Sequence, residues 1–559
     1  MHEPLYTPPA LLGYLRGYSL KAFGRDVSAG LAVGVIALPL AMAFGIASGV
    51  TPQQGITTAI IAGFLISLLG GTRLCVGGPT GAFVVVIYGI VSVYGVEKLI
   101  ICTMLAGLIL IVMGLCHVGT LIKFIPYPVT TGFTSGIAVV LLLSQAKDFF
   151  GLTTGKMPAE FFDKMPVLWA ALPSWNPATF LVATGAFVLL WIWPKLPFRR
   201  VPGPIVVLIL GTGIVAALDL PLATIGSTFG GIPQEFPHFA WPEVTWPVVR
   251  EMFEPAITLA ILAAIESLLC AVVADGMTGD RHNANTELVG QGIANFITPL
   301  FGGIPATGAI ARTAANVQAG AASPVSGIIH AATLLSIVMV AAPLARFIPL
   351  AILSAILVAV AIRMGEWRAF VRLQKIPKAD AAVFLATFLL TVVFNLMVAV
   401  EVGMVLAAFL FIKRVTETTV VARVTEDNED EGAHHSVIGK DVPEGVTIYR
   451  IAGPFLFGAA DKLEDALIAA NARPRIVILR MRAVTSMDAT ALNALELLVS
   501  KVKANGGHVV ICGAHTQPYF AMMQSGFFDD LGEDHVARDV DEALVIARRI
   551  LASEGHRAS

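Results

Sequence analysis

Charge is scarce in this chain. Only 14% of its 559 residues are Asp, Glu, Lys or Arg, against about 25% in an average soluble protein, and the mean hydropathy is +0.78. That excludes a soluble globular protein and points to a polytopic membrane protein. Neither sign dominates, with 37 basic against 39 acidic residues, so no nucleic acid or other polyanionic partner is expected. Cysteine is as sparse. Cys75, Cys102, Cys116, Cys270 and Cys512 show no CxxC or paired spacing, which excludes a disulfide framework and a zinc site. There is no P-loop and no nuclease, kinase or hydrolase constellation, so neither an ATPase nor another enzyme is expected, and no cofactor is implied. The first residues, MHEPLYTPPALLGYLRGYSLKAFGRD, lack an h-region and a small-residue cleavage site, so no cleavable signal peptide is expected.

What the chain does have is long uncharged runs. Residues 27–72 carry no charge, enough for two spans of about 20 residues each, divided by the polar turn Thr51-Pro52-Gln53-Gln54-Gly55. Further apolar runs lie at 74–96, 99–122, 124–146, 177–194, 201–218, 325–345, 347–362, 381–400 and 402–412. Several are too short for a full crossing or are broken by Gly and Pro. Short and interrupted helices in corresponding places predict a transporter built from inverted repeats. Two similar stretches mark the repeat: Gly70-Gly71-Thr72…Gly78-Pro79-Thr80-Gly81-Ala82, and Gly302-Gly303-Ile304-Pro305-Ala306-Thr307-Gly308-Ala309.

The predicted domains are an interfacial segment (1–26), a membrane domain (27–414), an acidic linker (415–443, with VTEDNEDEG) and a soluble α/β domain (444–559). In the last, VTIYRI, RIVILRM and HVVICG read as strands, and GAADKLEDALIAAN and DATALNALELLVSKVKANG as helices. Basic clusters at Arg16/Lys21/Arg25, Lys195/Arg199/Arg200, Arg363/Arg368/Arg372/Lys375 and Lys413/Arg414 place those loops and both termini in the cytoplasm.

Two charges stand inside sequence that otherwise reads as hydrocarbon-embedded: Glu266 and Arg312. A charge at membrane depth costs about 2.5–3.5 kcal/mol on insertion scales, so each is a functional-site candidate. Gly78, Pro79, Thr80 and Gly81 predict an interrupted helix with Pro79 at the first position of the new one. Its N-terminus offers free N–H groups and a partial positive charge to an anion. The repeat predicts a second helix start near Ala309–Ala311, with Arg312 in its first turn. A guanidinium between two such termini suits a carboxylate or oxyanion. Glu266 has no charged neighbour between Pro255 and Asp275; it could carry a proton, pair with Arg312 or help to ligate Na⁺. Leu40 and Phe44, after Pro39 in the first span, would wall the site. Pro39 itself is expected to break or kink that span, and His330 reads as a satisfied core histidine.

Five stretches together resemble the SulP family of anion transporters, relatives of prestin and pendrin: ALPLAMAFGIASGV (37–50), GGTRLCVGGPTGAFVV (70–85), IPYPVTTGFTSGIAVVL (125–141), AIESLLCAVVADGMTG (264–279) and NTELVGQGIANFITPLFGGIPATGAIARTAANVQAG (285–320). The last two most resemble the bacterial C4-dicarboxylic acid transporters of that family. The resemblance implies about fourteen transmembrane segments as a 7+7 inverted repeat with core and gate domains, followed by a cytoplasmic α/β STAS domain. It also implies an elevator-like motion, a homodimer and a bacterial inner-membrane location. By carry-over, Leu40, Phe44, Thr80, Ala311 and Arg312 line the substrate pocket, although the position of Leu40 is often glutamine in the family. Glu266 matches an acidic residue that is an aspartate at the Na⁺ site of the bicarbonate branch, which lacks an arginine at the position of Arg312. The expectation is therefore H⁺-coupled uptake of succinate or fumarate, with H⁺ as coupling ion and Na⁺ as the alternative. Sulfate or bicarbonate transport is the first alternative, and an anion channel or STAS-linked sensor the second. In the STAS domain Ala489 stands where related domains carry a phosphorylatable serine, so a folding and dimer-supporting role is expected, with a cytoplasmic protein partner as a further one.

Overall fold

The uncharged run of residues 27–72 folds as two helices, and its polar turn is the capping device that divides them. In a computed structural model of the chain, α2 (Leu20–Ala47) is capped by the Ser19 hydroxyl, which accepts from the Ala22 N–H. At the start of α3 (Pro52–Leu69), Thr51 and Gln54 form a reciprocal capping box with Pro52 in the first turn. The structure describes residues 7–120, 126–155, 157–158, 160–196, 201–394, 396–424, 440–456, 462–463 and 475–558. They fall into two compact units divided between Val405 and Leu406. Pro39 does not break α2, which continues through it. Burial of Pro39 in the bundle offsets a helix-interior cost of about 3 kcal/mol.

The other helices of the first unit are α1 (Ala10–Leu15), α4 (Gly81–Leu115), α5 (Tyr127–Phe150), α6 (Phe161–Ala171), α7 (Pro177–Ile192), α8 (Gly203–Ala217) and α9 (Ile225–Phe229). They continue with α10 (Trp246–Thr278), α11 (Ala284–Ile297), α12 (Ile310–Gln318), α13 (Val325–Ala345), α14 (Leu350–Met364), α15 (Trp367–Arg372), α16 (Lys378–Val393) and α17 (Leu396–Thr418), which reaches into the second unit. Among the described residues, eight helices are long and apolar enough to cross a membrane. α4 is two segments, because Gly95 adopts φ 83°, ψ 170° and turns the chain between them. With α4 counted twice, α2, α3, α4, α5, α7 and α8 give seven segments, and α10 to α14, α16 and α17 give seven more. The order repeats. In each half a long helix, a second helix, a short strand and a new helix start follow one another.

Two groups of helices pack within this unit. α13 packs on α2 and α3, α10 and α11 on α4, and α12 on α10; α16 and α14 pack on α5, and α7 on α14. In the first group α4 and α11 cross backbone to backbone: a Cβ at Gly107 would lie 2.7 Å from the Gly292 carbonyl. Small residues allow that approach where lipid supplies no hydrophobic drive for helix association.

A buried carboxylate ties down the N-terminal end of this group. Asp26, fully buried on α2, accepts from the N–H groups of Ala322 (2.6 Å) and Ser323 (3.1 Å) before α13, and from the Ser323 (2.5 Å) and Tyr18 (2.6 Å) hydroxyls. Burial and the bond to Asp26 push the Tyr18 hydroxyl up to about 12, so it keeps its proton, and this contact, at physiological pH.

The second unit is a five-stranded sheet in the order β3 (Val420–Arg423), β4 (Val446–Phe455), β5 (Ile476–Met487), β6 (His508–Cys512) and β7 (Val536–Ala537). β3 is antiparallel to β4 and the remaining pairs are parallel. Helices Ala489–Ala504, Thr516–Gln524, Phe527–Leu531 and Val540–Ala558 accompany it, over a core that includes Phe455, Leu479, Leu495 and Phe527. Asp488 caps the helix that follows β5, its Oδ1 accepting from the Ala491 N–H at 2.8 Å. Of the stretch read as an acidic linker, 415–418 continue α17 and 420–423 form β3, while 425–439 lie outside the described residues. So does most of the helix expected over 458–471, and so do Arg199 and Arg200.

Replacing Asp26 by alanine leaves the Ala322 and Ser323 N–H groups buried without an acceptor. The expected loss is about 2–5 kcal/mol, read as a lowered Tm of the purified protein in detergent. An unchanged Tm would remove Asp26 from the set of fold-determining contacts.

Candidate anion-binding site

The two repeat stretches singled out in the sequence pair with each other. β1 (Gly77–Gly78) and β2 (Thr307–Gly308) form a two-residue antiparallel ladder, with Gly77 opposite Gly308 and Gly78 opposite Thr307. The Ala309 N–H extends it by donating to the Val76 carbonyl at 2.9 Å. α4 leaves one end of the ladder with Thr80 as its N-cap, and α12 leaves the other with Ala309 as its N-cap. Neither cap side chain bonds its own helix, so the first-turn N–H groups keep the capacity of a helix start to bind an anion. Pro79 is not the first helical residue as expected. Thr80 is extended (φ −127°, ψ 157°) and the helix starts at Gly81, because the chain must complete the strand pairing before it can turn.

Arg312 is the third residue of α12 and is 2% exposed. Its guanidinium crosses to the other half of the repeat, where Nη2 donates to the Pro79 carbonyl at 3.2 Å and Nη1 to the Gly77 carbonyl at 3.5 Å. Gly78 makes room for it: with φ +149° it holds a conformation that L side chains rarely adopt, and a Cβ there would lie 2.1 Å from Arg312 Nη1. Thr80 is buried, with its Oγ1 3.4 Å from Thr307 Oγ1. Leu40 and Phe44 are buried on α2. Phe44, Leu141 and Met364 close over the first turn of α4, since a Cβ at Gly81 would lie 3.3, 3.4 and 3.7 Å from them. Ala311, in contrast, is exposed at the start of α12.

Glu266 is buried on α10, and that helix flanks the ladder. Its neighbour Ser267 accepts from the Gly308 N–H at 3.3 Å, and Cys270, one turn on, donates to the Thr313 hydroxyl at 3.2 Å. Glu266 itself makes no hydrogen bond with a described residue and no ion pair with Arg312. The direct Glu266–Arg312 pairing left open by the sequence is therefore not formed. Nor does any group of three His, Cys, Asp or Glu side chains gather among the described residues.

A polar frame that the sequence reading missed holds the crossing in place. Glu287, Gln291 and Asn295 follow at intervals of four along α11, hence on one face. Glu287 accepts from the Thr72 N–H (3.0 Å) and from Gln291 (2.9 Å), and Asn295 bonds both the N–H (2.9 Å) and the carbonyl (2.8 Å) of Ala306. Asn316 donates to the Leu74 carbonyl at 3.1 Å. The four-residue spacing was the available signal. His330 corrects an expectation: it is fully buried, and neither ring nitrogen has a hydrogen-bond partner among the described residues. A Cβ at Gly63 would lie 3.4 Å from its ring and 3.3 Å from the Gly77 carbonyl, so His330 belongs to the surroundings of the crossing.

Residues 23–387 match the sulfate permease family. The chain belongs to that family. Residues 438–543 match the STAS domain and lie within the second unit. As a sulfate permease family member it is a membrane anion transporter and not an enzyme. Its relatives include a putative sulfate transporter of Bacillus subtilis, YvdB, 41% identical over 95% of this chain and 99% of that one. The bicarbonate transporter BicA of Picosynechococcus is 31% identical over 93% and 94%. The solved transmembrane domain of a cyanobacterial BicA covers 70% of this chain and 98% of its own, at 32% identity and a TM-score of 0.63. The structure of SLC26A9 shares the fold over 98% of this chain and 93% of its own, with a TM-score of 0.84 at 20% identity.

Gly78→Ala tests the crossing. The added methyl must displace the Arg312 guanidinium, so anion uptake into proteoliposomes should fall at least about tenfold, the loss of roughly one charge-assisted hydrogen bond, while the protein still elutes as a folded species. Uptake at the wild-type rate would show that the guanidinium position does not matter.

Proposed function

We propose that this sulfate permease family member is a secondary active, H⁺-coupled importer of small dianions in the bacterial inner membrane, with C4-dicarboxylates such as succinate and fumarate as its first substrate class. The observation that carries this reading is that one two-residue ladder joins two uncapped helix N-termini and a buried guanidinium spans it. Each terminus carries about half a positive charge, and the guanidinium has donors beyond the two used on Pro79 and Gly77. Leu40, Phe44, Gly78, Pro79, Thr80, Gly81, Ala311 and Arg312 form the substrate site, which excludes water on the Phe44 side. Glu266, buried without a partner among the described residues, takes and releases the coupling proton.

In this reading both termini and the STAS domain are cytoplasmic, the protein works as a homodimer, and the helices that pack with α2 and α4 move as an elevator past those that pack with α5. The STAS domain supports folding and assembly and offers a surface to a cytoplasmic partner. Sulfate is the second substrate reading, favoured by the 41% identity to a putative sulfate transporter; bicarbonate with Na⁺ follows from the likeness to BicA. A thermal-shift screen against succinate, fumarate, sulfate and bicarbonate, with and without Na⁺, separates these readings. A voltage-driven anion current without proton movement would favour a channel instead.

Arg312→Ala should reduce uptake by about 10- to 100-fold, the worth of roughly one charge-assisted hydrogen bond to a bound anion at a buried site, with folding intact. Retained transport at unchanged KM would take Arg312 out of the site. Glu266→Gln keeps the shape of the side chain but cannot exchange a proton. Uptake driven by an imposed pH gradient should then cease while counterflow exchange continues, and an unaltered response to the gradient would sink the proton-carrying role.

A further inference from the structure

Away from the crossing, one buried cation has nothing to pair with among the described residues. Lys164 on α6 is 5% exposed, yet it forms no side-chain hydrogen bond or ion pair with any described residue. Its ammonium lies 5.6 Å from the centre of the Tyr88 ring, a contact that steadies the charge without neutralising it. The side chain borders a cavity of about 660 Å³ lined also by Thr154, Tyr88, Lys147 and Asp148. The Thr154 hydroxyl is a second polar group buried on this cavity without a hydrogen-bond partner among the described residues. Among the described lining residues the charged ones are Lys147, Lys164 and Asp148, two positive and one negative, so the cavity has a net charge of +1.

The position of the cavity suggests its use. It takes in Ile46 and Ala47 at the end of α2, the end remote from the segment that Asp26 anchors. Tyr88 follows Thr80 by eight residues on α4, about 12 Å of helix, so the cavity lies over the anion-binding crossing. Phe44 and Leu141, closing over Gly81, stand between the two.

We propose that Lys164 and the Thr154 hydroxyl form a second anion site, a vestibule that receives small carboxylates or oxyanions at the membrane face where α2 ends, before the crossing opens to them. The identity of the anion rests on the transport reading above; the site itself does not. An ammonium is a compact charge with rotatable donors and no fixed fork, which suits brief capture of differently shaped anions. A concave site of net positive charge within the low-dielectric protein focuses its field and raises the local anion concentration.

A reporter cysteine tests this in the full-length protein. Cys116, the exposed native thiol, is replaced by serine, and Gly155, which lines the cavity and has no heavy atom within 4 Å of a built Cβ, by cysteine. Membrane-impermeant methanethiosulfonates, one sulfonated and one quaternary ammonium, are applied to each face in turn. From one face the sulfonated reagent should react roughly tenfold faster, as a focused positive field requires, and Lys164→Gln should abolish the preference. Succinate or sulfate should slow labelling, and should still do so with Arg312→Gln, which separates this site from the crossing. In transport, Lys164→Gln should raise KM several-fold with the maximal rate kept, and Lys164→Arg should restore KM. Equal rates for the two reagents, no protection by either anion, or an unchanged KM would each overturn the proposal. If instead Arg312→Gln leaves transport intact, the central reading fails while the labelling result stands on its own.

Discussion

The structure depends on an arrangement that is unfavourable by itself: two helix starts held head to head inside the membrane unit. Each brings about half a positive charge, and Arg312 adds a whole one. What holds them is backbone. Gly77 and Gly78 pair with Gly308 and Thr307, and the carbonyls of Gly77 and Pro79 accept from the guanidinium. No side chain beyond hydrogen fits on the first strand, since a Cβ at Gly77 would lie 2.2 Å from Ile66 and one at Gly78 2.1 Å from Arg312. Carbonyls soften the positive charge but do not cancel it. An anion would, and so the strain of the arrangement and the anion binding proposed for it have one origin.

That origin explains where the polar residues of the membrane unit are placed. Glu287, Asn295 and Asn316 bond the backbone of the two loops that lead into the crossing. In hydrocarbon an irregular loop survives only if its N–H and C=O groups are satisfied by protein. The polar face of α11 is therefore the consequence of starting α4 and α12 from irregular loops inside the membrane unit.

Much of this could be read from the sequence. The repeat of Gly78-Pro79-Thr80-Gly81 and Ala306-Thr307-Gly308-Ala309 marked both helix starts, and the uncharged runs marked the spans. Arg312 in the first turn of its helix followed from the same repeat. Three features were not legible. That the two stretches pair as strands is a long-range contact, which local periodicity does not encode. Pro39 reads as a breaker by its missing donor, but packing in α2 overrides propensity. His330 looks like any core histidine in one dimension. Only the fold shows that neither nitrogen finds a partner among the described residues and that the ring lies across Gly63 from the Gly77 carbonyl.

The distribution of contacts also bears on movement. Within the group built on α2 and α4, hydrogen bonds and glycine-mediated crossings lock the helices together, as at Asp26 and at Gly107 with Gly292. Between that group and the helices around α5, the meeting surface is apolar: Leu40 and Phe44 share a cluster with Leu141, Ile352, Leu353 and Ile356. An apolar surface can slip by a helical turn without leaving a polar group unsatisfied, whereas one laced with hydrogen bonds cannot. The hydrogen bond from Tyr88 to the Met157 carbonyl, at 2.7 Å, runs from α4 to the loop before α6, beside Lys164. A slip that parts α4 from that loop would break it, and it lies at the proposed vestibule, where an arriving anion can meet the ammonium that Tyr88 steadies.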